Sequence, residues 1–319
     1  MQKITARAHT NIALIKYWGK KDKQLFLPFN NSLSLTLEEF YTDTTVSPSL
    51  ADEFYLNGIK QNHEELAKIQ NYLQIFRDLT NNSTPLKIES TNHVPTAAGL
   101  ASSSSAYAAL ALALTKFYDL DFDYQTISSY ARRGSGSATR SLFGGFVEWE
   151  QGFDHQSSHA IQVNDAKFDI GLLICLINKN KKRIPSRQGM EHTVQTSTFY
   201  KQWIKSAASD LQKMKQAIKK QDVVKIGQIA EHNAMQMHAT TLAANPPFTY
   251  FEPDTLKLIQ TVQELRKQGF NCYYTIDAGP NVKIIAPYSE LAAIKTELLK
   301  CYPTLETIIT KPGPNAFYL

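Results

Sequence analysis

The pattern of polar and apolar residues predicts strands in the first part of the chain. Residues 32–37 read Ser-Leu-Ser-Leu-Thr-Leu, and this strict alternation is typical of a strand with one buried face. Residues 52–58 predict a second strand that ends in a hairpin turn. Over residues 63–79 the period changes to that of a helix with one apolar face. The residues of that face are Leu66, Ile69, Leu73 and Phe76.

Beyond residue 100, helices and strands follow one another without a regular order. The predicted helices lie at 101–114, 203–218, 223–237 and 254–268, and the predicted strands at 143–149, 171–177, 272–276 and 282–286. Because no repeated strand–helix–strand rhythm is present, the predicted fold class is α+β. Near residue 178 the pattern changes, and two long predicted helices follow. This change predicts two domains, residues 1–178 and 179–319.

Composition narrows the class of protein only a little. The 319 residues are 43% hydrophobic and contain no apolar run near the ~20 residues that span a bilayer, so we expect no membrane partner. The first residues run into polar sequence without an apolar signal core. The three scattered cysteines are best suited to a reducing cytoplasm. A net charge of +5 suits either a small acidic substrate or a nucleic acid.

Residues 95–105 carry the clearest local signal. They read Pro-Thr-Ala-Ala-Gly-Leu-Ala-Ser-Ser-Ser-Ser and open directly into the Ala-rich helix. A helix start presents unpaired N–H groups to an anion, and small residues let a polyphosphate approach. Serine is also a common helix cap, so a purely structural role stays open. The segment is not a Walker loop, because no Gly-Lys-Ser/Thr follows it.

Two other segments combine small residues with a cation. Tyr17-Trp18-Gly19-Lys20 follows an apolar strand, although an isolated Lys20 could simply lie at the surface beside a buried aromatic residue. Residues 134–137 read Gly-Ser-Gly-Ser, which alone could be a flexible linker. Apolar residues follow at once, which argues against a free linker. Arg140, just beyond, could hold a carboxylate through two parallel hydrogen bonds.

Asp277 stands where a predicted strand meets Ala278-Gly279-Pro280. Aspartate is common in tight turns for conformational reasons alone. A carboxylate at this position could also orient a substrate hydroxyl and accept its proton.

These motifs together resemble a known family. Residues 95–105 match the phosphate loop of the GHMP kinases, and residues 11–20 and 133–141 resemble signatures of the mevalonate diphosphate decarboxylases within that superfamily. Residues 186–190 and 277–281 extend the resemblance over nearly the whole chain. It implies a GHMP kinase fold, with a ribosomal-protein-like N-terminal domain, a ferredoxin-like C-terminal domain and a cleft between them. It also implies ATP-dependent decarboxylation of mevalonate 5-diphosphate to isopentenyl diphosphate.

The resemblance further implies roles for individual residues. Catalytic roles fall to Asp277, Arg140 and Lys20. The implied substrate-binding residues are Asn11, Tyr17, Trp18, Gly19, Lys20, Ser135, Gly136, Ser137, Ala138, Arg140, Ser186 and Arg187. The implied ATP-binding residues are Ser90, Asn92, Pro95, Ala97, Ala98, Gly99, Leu100, Ala101, Ser102, Ser103, Ser104 and Lys182. Mg²⁺ would be held through the ATP phosphates, with Ser102 or Ser103 as a candidate protein ligand.

Two alternative functions remain at this point. A GHMP kinase that stops after phosphorylation would share the phosphate loop, but the carboxylate site at Arg140 and the aspartate at Asp277 favour decarboxylation. An RNA-binding protein could use the basic residues of 179–183, yet no aromatic residues interleave with them, and such a run is usually a solvated loop. We expect a cytoplasmic homodimer without a nucleic-acid partner.

Overall fold

A computed structural model describes residues 3–93, 102–178, 180 and 183–319 of the chain. The strands are β1 (Ile4–Ile15), β2 (Lys20–Asp22), β3 (Leu27–Pro28), β4 (Ser32–Pro48), β5 (Glu53–Leu56), β6 (Ile59–Lys60), β7 (Leu86–His93), β8 (Phe146–Trp149), β9 (Ala160–Asn164), β10 (Gly171–Leu176), β11 (Tyr273–Ile276), β12 (Val282–Ala286), β13 (Glu306–Thr310) and β14 (Phe317–Tyr318). The helices are α1 (His63–Thr80), α2 (Ser102–Phe117), α3 (Tyr124–Gly134), α4 (Ser186–Thr196), α5 (Tyr200–Lys219), α6 (Val223–Leu242), α7 (Pro253–Lys267) and α8 (Leu291–Cys301). Two 3-10 helices span Gly136–Leu142 and Tyr288–Glu290. The predicted α+β class is confirmed.

The larger sheet contains eight of these strands. Its main path runs β14-β1-β4-β7-β5-β6, and β8 and β9 extend it from β4. The pairings are antiparallel except that of β5 with β7. Apolar side chains of α1, α2 and α3 pack against it, and Phe76, Leu110 and Ile127 are all buried in this cluster. The small residues of α2 allow this close approach, as its Ala-rich sequence predicts.

The alternation at residues 32–37 was interpreted as a half-buried strand, and that part of the prediction is wrong. The strand forms, but all six residues are buried. Leu33 and its apolar neighbours enter a core shared with α5 and α6. The hydroxyl face is covered by the segment around the first 3-10 helix, because Ser32 Oγ accepts a hydrogen bond from Arg140 and Thr36 Oγ1 donates one to Phe143 O.

The smaller sheet has the order β11-β12-β10-β13 and is antiparallel throughout. Helices α7 and α8 contribute to the core around Val262, Ile284 and Leu298. Side chains of α5 and α6 share a further core with both sheets. The last strand, β14, returns to pair with β1. The predicted division at residue 178 stays a prediction.

Local departures from the predicted elements have identifiable causes. The strand predicted at 143–149 begins only at Phe146, because Gly145 has a φ of +66° and breaks the extended backbone. The predicted helix end at Gly269 is confirmed, with α7 finishing at Lys267 and Gly269 at φ +103°. In the part of the chain that the structure describes, no helix is both long and apolar enough to cross a membrane.

Candidate active site

Lys16 lies just beyond the apolar end of β1 and is only 2% exposed. Its Nζ donates to Asp277 Oδ1 and to Ala13 O, each at 2.7 Å. Its backbone is held as well, since its N–H donates to Asn233 Oδ1 on α6 and its carbonyl accepts from Asn30. Burial lowers the pKa of Lys16 from its ordinary value, and Asp277 opposes this shift. The ammonium group is therefore held by Asp277 and Ala13, and the backbone of Lys16 by Asn233 and Asn30.

Asp277 stands in the turn after β11, where the sequence places it, and 27% of its side chain is exposed. Its second oxygen, Oδ2, lies 3.2 Å from the Nζ of Lys283 on β12. Burial would raise the pKa of Asp277, but the charges and hydrogen bonds of Lys16 and Lys283 outweigh it and hold that pKa well below its usual range. The carboxylate is ionised at neutral pH and presents one partly open side.

Arg140 is buried to 2% exposure on the first 3-10 helix. Its Nη1 donates to Ser32 Oγ and its Nε to Asn11 Oδ1 at 3.4 Å. Burial lowers its pKa to about 10, while the nearby charge of Asp277 acts to raise it. No carboxylate in the described ranges forms an ion pair with this guanidinium. A buried cation without a paired anion is a suitable site for a substrate carboxylate.

The predicted substrate residue Asn11 supports Arg140 from β1. Its Nδ2 donates to Ser137 O at 3.0 Å and to Ser141 Oγ at 2.8 Å, and its Oδ1 accepts from Arg140. These bonds tie the 3-10 helix to the strand. Asn11 therefore orients the arginine, whether or not it also meets substrate.

Tyr17 packs its ring on Trp149, with 4.8 Å between centroids. Its hydroxyl is buried and has no hydrogen-bond partner among the residues that the structure describes. Gly136 allows this arrangement, because a Cβ there would come within 3.0 Å of the Tyr17 ring. Such an unpartnered hydroxyl is costly unless a ligand supplies its partner.

Lys20 and Arg187 meet around one aromatic ring. The Lys20 Nζ lies 3.4 Å from the centroid of Phe26, and the Arg187 Cζ lies 5.8 Å from it. Phe26 is in the hairpin turn between β2 and β3, and Arg187 is in the first turn of α4, next to Ser186. Burial and the charge of Arg187 lower the pKa of Lys20 to about 8, against the opposing charge of Glu191. Two cations this close together could hold a multiply charged anion.

Gly19 and Trp18 shape the backbone between these groups. Gly19 has a φ of +120°, and a Cβ there would lie 2.1 Å from the hydroxyl of Tyr200. That hydroxyl donates to Trp18 O at 2.6 Å. Trp18 itself is buried in an aromatic cluster with Tyr200, Trp203 and Tyr250. The structure gives Trp18 a packing role, and the predicted substrate contact of its ring stays a prediction.

Serine hydroxyls bring the start of α2 next to the turn before the 3-10 helix. Ser103 Oγ lies 3.3 Å from Ser135 Oγ, which lies 3.3 Å from Ser137 Oγ. Ser102 begins α2, and Ser104 is buried behind it. Ala138 is buried and keeps this turn close to the helix. The predicted phosphate-binding and substrate-binding segments are thus adjacent.

The remaining predicted ATP-binding residues fall into two groups. Ser90 and Asn92 lie on β7, where Ser90 Oγ contacts Thr44 Oγ1 and Asn92 Oδ1 accepts from Thr42. Their side chains are occupied within the sheet, and Ser90 O and Asn92 N–H both bond to Asn57. Seven predicted residues lie outside the described residues: Pro95, Ala97, Ala98, Gly99, Leu100, Ala101 and Lys182.

The described residues fit a magnesium–nucleotide complex at the start of α2. The first turn of α2 carries no acidic residue that would repel a triphosphate. Within residues 3–93, 102–178, 180 and 183–319, no group of three or more His, Cys, Asp or Glu side chains could hold a metal by itself. Hydroxyl oxygens of Ser102 and Ser103 are suitable single ligands for Mg²⁺, which keeps most of its other ligands from phosphate and water.

Three residues of this site were not predicted from the sequence. Lys16 and Lys283 are lysines within or beside apolar strands, a position where a charge needs a partner. A charged residue in an apolar stretch was therefore the sequence signal that could have identified Lys16 and Lys283. No sequence signal could have identified Phe26, because a cation–aromatic contact between separate segments leaves no local pattern.

The larger sheet, the smaller sheet and the helices packed on them are those of a protein of GHMP kinase type, which is the class that the sequence resemblance predicts. The sequence model of the diphosphomevalonate decarboxylase-like N-terminal domain matches residues 8–160. That of the mevalonate 5-diphosphate decarboxylase C-terminal domain matches residues 172–314. The chain belongs to the diphosphomevalonate decarboxylase family.

Individual relatives agree with this assignment. The diphosphomevalonate decarboxylase of Candida albicans is 38% identical over 89% of this chain and 84% of its own length. That of Rattus norvegicus is 35% identical over 94% of this chain and 80% of its own.

Solved structures of the family superpose over nearly all of the chain. Mevalonate diphosphate decarboxylase from Staphylococcus aureus has a TM-score of 0.95 at 43% identity, covering 100% of this chain and 98% of its own. A complex of MDDEF with MVAPP, AMPPCP and magnesium has a TM-score of 0.94 at 44% identity, covering 99% and 98%.

Proposed function

We propose that the chain converts mevalonate 5-diphosphate and ATP to isopentenyl diphosphate, ADP, phosphate and CO₂. The observation that carries this proposal is the presence in one site of the ionised Asp277 and the buried Arg140, which has no ion-pair partner among the described residues. A kinase needs the group that orients the attacking hydroxyl. A decarboxylase needs, in addition, a fixed cation for the carboxylate that departs, and Arg140 supplies it.

The substrate would bind by its two anionic ends. Lys20 and Arg187 bind the diphosphate, with the hydroxyls of Tyr17 and Ser186 as further donors. Arg140 binds the carboxylate from the other side, and residues 135–138 line the path between them. The buried Tyr17 hydroxyl supports this arrangement, because it gains a partner when the diphosphate enters.

Asp277 would act in phosphoryl transfer by orienting the tertiary 3-hydroxyl. The oxygen attacks the γ-phosphorus of ATP, the bond to the β,γ-bridging oxygen breaks, and ADP leaves. The hydroxyl proton passes to Asp277 or to bulk water through it. Because Lys16 and Lys283 make the carboxylate a weak base, its main contribution is position, and the proton moves late.

Loss of phosphate then drives decarboxylation. The C3–O bond breaks with its electron pair on the phosphate, which leaves positive charge on C3. The partly open carboxylate of Asp277 stabilises that charge. The C1–C2 bond then breaks, its electrons form the C2–C3 double bond, and CO₂ leaves Arg140.

ATP and Mg²⁺ are required, and Mg²⁺ bound to the phosphates neutralises negative charge during transfer. Ser102, Ser103 and Ser104 would hold the triphosphate at the start of α2. Ser90 and Asn92 would border the nucleoside. The predicted contacts of 95–101 and Lys182 belong to the same proposal.

We further propose that the enzyme works as a cytoplasmic homodimer without nucleic-acid or membrane partners. Cys175, Cys272 and Cys301 are all free thiols, which suits a reducing compartment. Light scattering coupled to gel filtration measures the assembly. A monomeric mass would overturn the dimer.

The test of the reaction is an assay with mevalonate, its 5-phosphate and its 5-diphosphate, each supplied with Mg-ATP. ADP and CO₂ are measured in the same samples. We expect both products, in equal amounts, from the 5-diphosphate. ADP without CO₂ from any of the three substrates would indicate a kinase and would overturn the proposal.

A further inference from the structure

Lys283 is a charged residue in the middle of an apolar strand. All five residues of β12 are buried, and Lys283 is 1% exposed. Its neighbours across the sheet are Ile174 on β10 and Thr275 on β11. A lysine taken out of water to this extent is strongly unfavourable unless it is paired.

The partners of Lys283 lie at one end of its side chain. Its Nζ is 3.2 Å from Asp277 Oδ2 and donates to Asn281 O at 3.1 Å. Lys16 approaches the other carboxylate oxygen, Oδ1, at 2.7 Å. With one cation on each oxygen, the carboxylate has a single orientation. Lys16 alone would hold Oδ1 and leave Oδ2 free to turn.

We infer that Lys283 is a positioning residue for the decarboxylation reaction, which it serves by fixing the second oxygen of Asp277. The inference rests on the function proposed above. Lys283 does not touch substrate in this account, because it lies behind Asp277 within the smaller sheet.

The other groups around Asp277 cannot replace this cation. His238 on α6 donates from Nε2 to Ile276 O, and burial lowers its pKa to about 3, so it is neutral. Cys175 on β10 is neutral too, since burial raises the pKa of its thiol to about 12. The charge of Arg140 interacts with that of Asp277, but its guanidinium donates to Ser32 and Asn11 and forms no ion pair with Asp277. Among the described residues, Lys16 is thus the one cation that would remain paired with Asp277 without Lys283.

Removal of Lys283 should therefore affect ionisation in a definite direction. The folded-state pKa of Asp277 is depressed, so the carboxylate is charged throughout the working range. Without Lys283, less positive charge opposes the effect of burial on Asp277, so the pKa of Asp277 rises. On acidification, the variant would therefore lose activity at a higher pH than the wild type does.

A purely structural role predicts something different. Removing one member of a buried ion pair is strongly destabilising when it leaves the other charge uncompensated, but Asp277 would keep Lys16 as its partner. If Lys283 were purely structural, its removal would lower the stability and the activity of the protein together. If Lys283 positions Asp277, its removal lowers kcat while the stability of the protein and the binding of its substrates are kept.

The experiment compares Lys283→Met and Lys283→Arg with the wild type. For Lys283→Met we expect kcat at least tenfold lower, KM values for ATP and the diphosphate within about threefold, and a melting temperature within a few degrees of wild type. The acidic limb of the pH–kcat profile should move to higher pH. Lys283→Arg keeps the charge, so its acidic limb should stay near that of the wild type.

Arg77→Met is the matched control. Arg77 pairs with Asp52 at 2.7 Å, and their side chains are only 11% and 10% exposed. This variant should lower the melting temperature and leave the pH profile unchanged. A wild-type kcat and acidic limb in Lys283→Met, or a loss of activity that follows stability as in Arg77→Met, would overturn the inference.

A direct titration separates this inference from the proposed function. Carboxyl ¹³C NMR of labelled aspartate follows Asp277, assigned by its absence in Asp277→Asn. We expect a higher pKa for this carboxyl in Lys283→Met than in the wild type, even if the enzyme had another substrate. Equal pKa values in the two proteins would refute the inference while leaving CO₂ release by the wild type as a separate result.

Discussion

At the scale of single residues, the site is dominated by buried cations. Lys16, Arg140 and Lys283 are each at most 2% exposed, and Asp277 is the one carboxylate that forms an ion pair with any of them within the described residues. The local charge is therefore positive. An anionic substrate completes the pairing, which explains why the molecule retains charges that are costly to bury.

Asp277→Asn should abolish turnover while leaving binding nearly intact. Asparagine has almost the same shape, but it carries no charge to stabilise the transition state. We expect kcat to fall far below a tenth of the wild-type value, where a tenth corresponds to roughly 1.4 kcal/mol. Calorimetric titration with the diphosphate and an ATP analogue checks that both still bind. Retention of more than a tenth of kcat would contradict the role of Asp277.

Arg140→Lys should reduce activity strongly, although the substitution keeps the positive charge. Lysine lacks the planar fork that lets Arg140 donate to Ser32 and Asn11 and still grip a carboxylate. We expect kcat/KM for the diphosphate to drop at least tenfold. Unchanged kcat/KM would show that Arg140 only supports the fold.

Lys20→Ala and Arg187→Ala test the diphosphate site. Each charged hydrogen bond contributes about 1.5–3 kcal/mol, so KM for the diphosphate should rise roughly ten- to hundredfold. KM for ATP should change much less. The informative quantity is the ratio of kcat/KM for the diphosphate to that for the monophosphate, which should fall in both variants. A constant ratio with both activities reduced would assign these residues to the fold or the nucleotide instead.

At the scale of elements, the hairpin of β2 and β3 positions Lys20 and Arg187, the two cations that we propose to bind the diphosphate. Phe26 sits in its turn with a φ of +58° and contacts both Lys20 and Arg187. The hairpin thereby connects the end of β1 to the start of α4. This link between segments far apart in sequence combines the Phe26 ring with an ion pair between Lys23 in the same turn and Glu191 on α4.

Phe26→Leu should raise KM for the diphosphate without changing kcat. A cation–aromatic contact contributes about 0.5–2 kcal/mol, so the expected rise is roughly two- to thirtyfold. Phe26→Tyr keeps the ring face and serves as the control, with near wild-type KM. Equal losses in the two variants, or a matching rise in KM for ATP, would argue for a general effect on the hairpin.

The sequence predicts individual elements better than contacts between them. The helical period at 63–79 and the glycine at 269 predict α1 and the end of α7 closely. The burial of both faces at 32–37 could not be predicted, because it depends on a 3-10 helix more than 100 residues away. Likewise, Lys16 meets Asp277 across 261 positions. The resemblance identified Asp277 and Arg140, but no local pattern identifies their partners.

At the scale of the whole molecule, the site joins the two sheets. Lys16 belongs to the end of β1 in the larger sheet, and Asp277 and Lys283 belong to the smaller one. Helices α5 and α6 lie in a core shared by both sheets and hold Lys16 through Asn233, which itself donates to Asp210. Movement between the sheets would separate Asp277 from Lys16. The continuous core therefore maintains the catalytic geometry.

The most direct test of this account is the stoichiometry of one reaction mixture. Limiting mevalonate 5-diphosphate is incubated with excess Mg-ATP, and ADP, phosphate, CO₂ and isopentenyl diphosphate are quantified to completion. We predict one equivalent of each product per substrate consumed. ADP formed in one equivalent with neither free phosphate nor CO₂ would show that the site stops at phosphorylation, and it would contradict the roles given to Arg140 and Asp277 in decarboxylation.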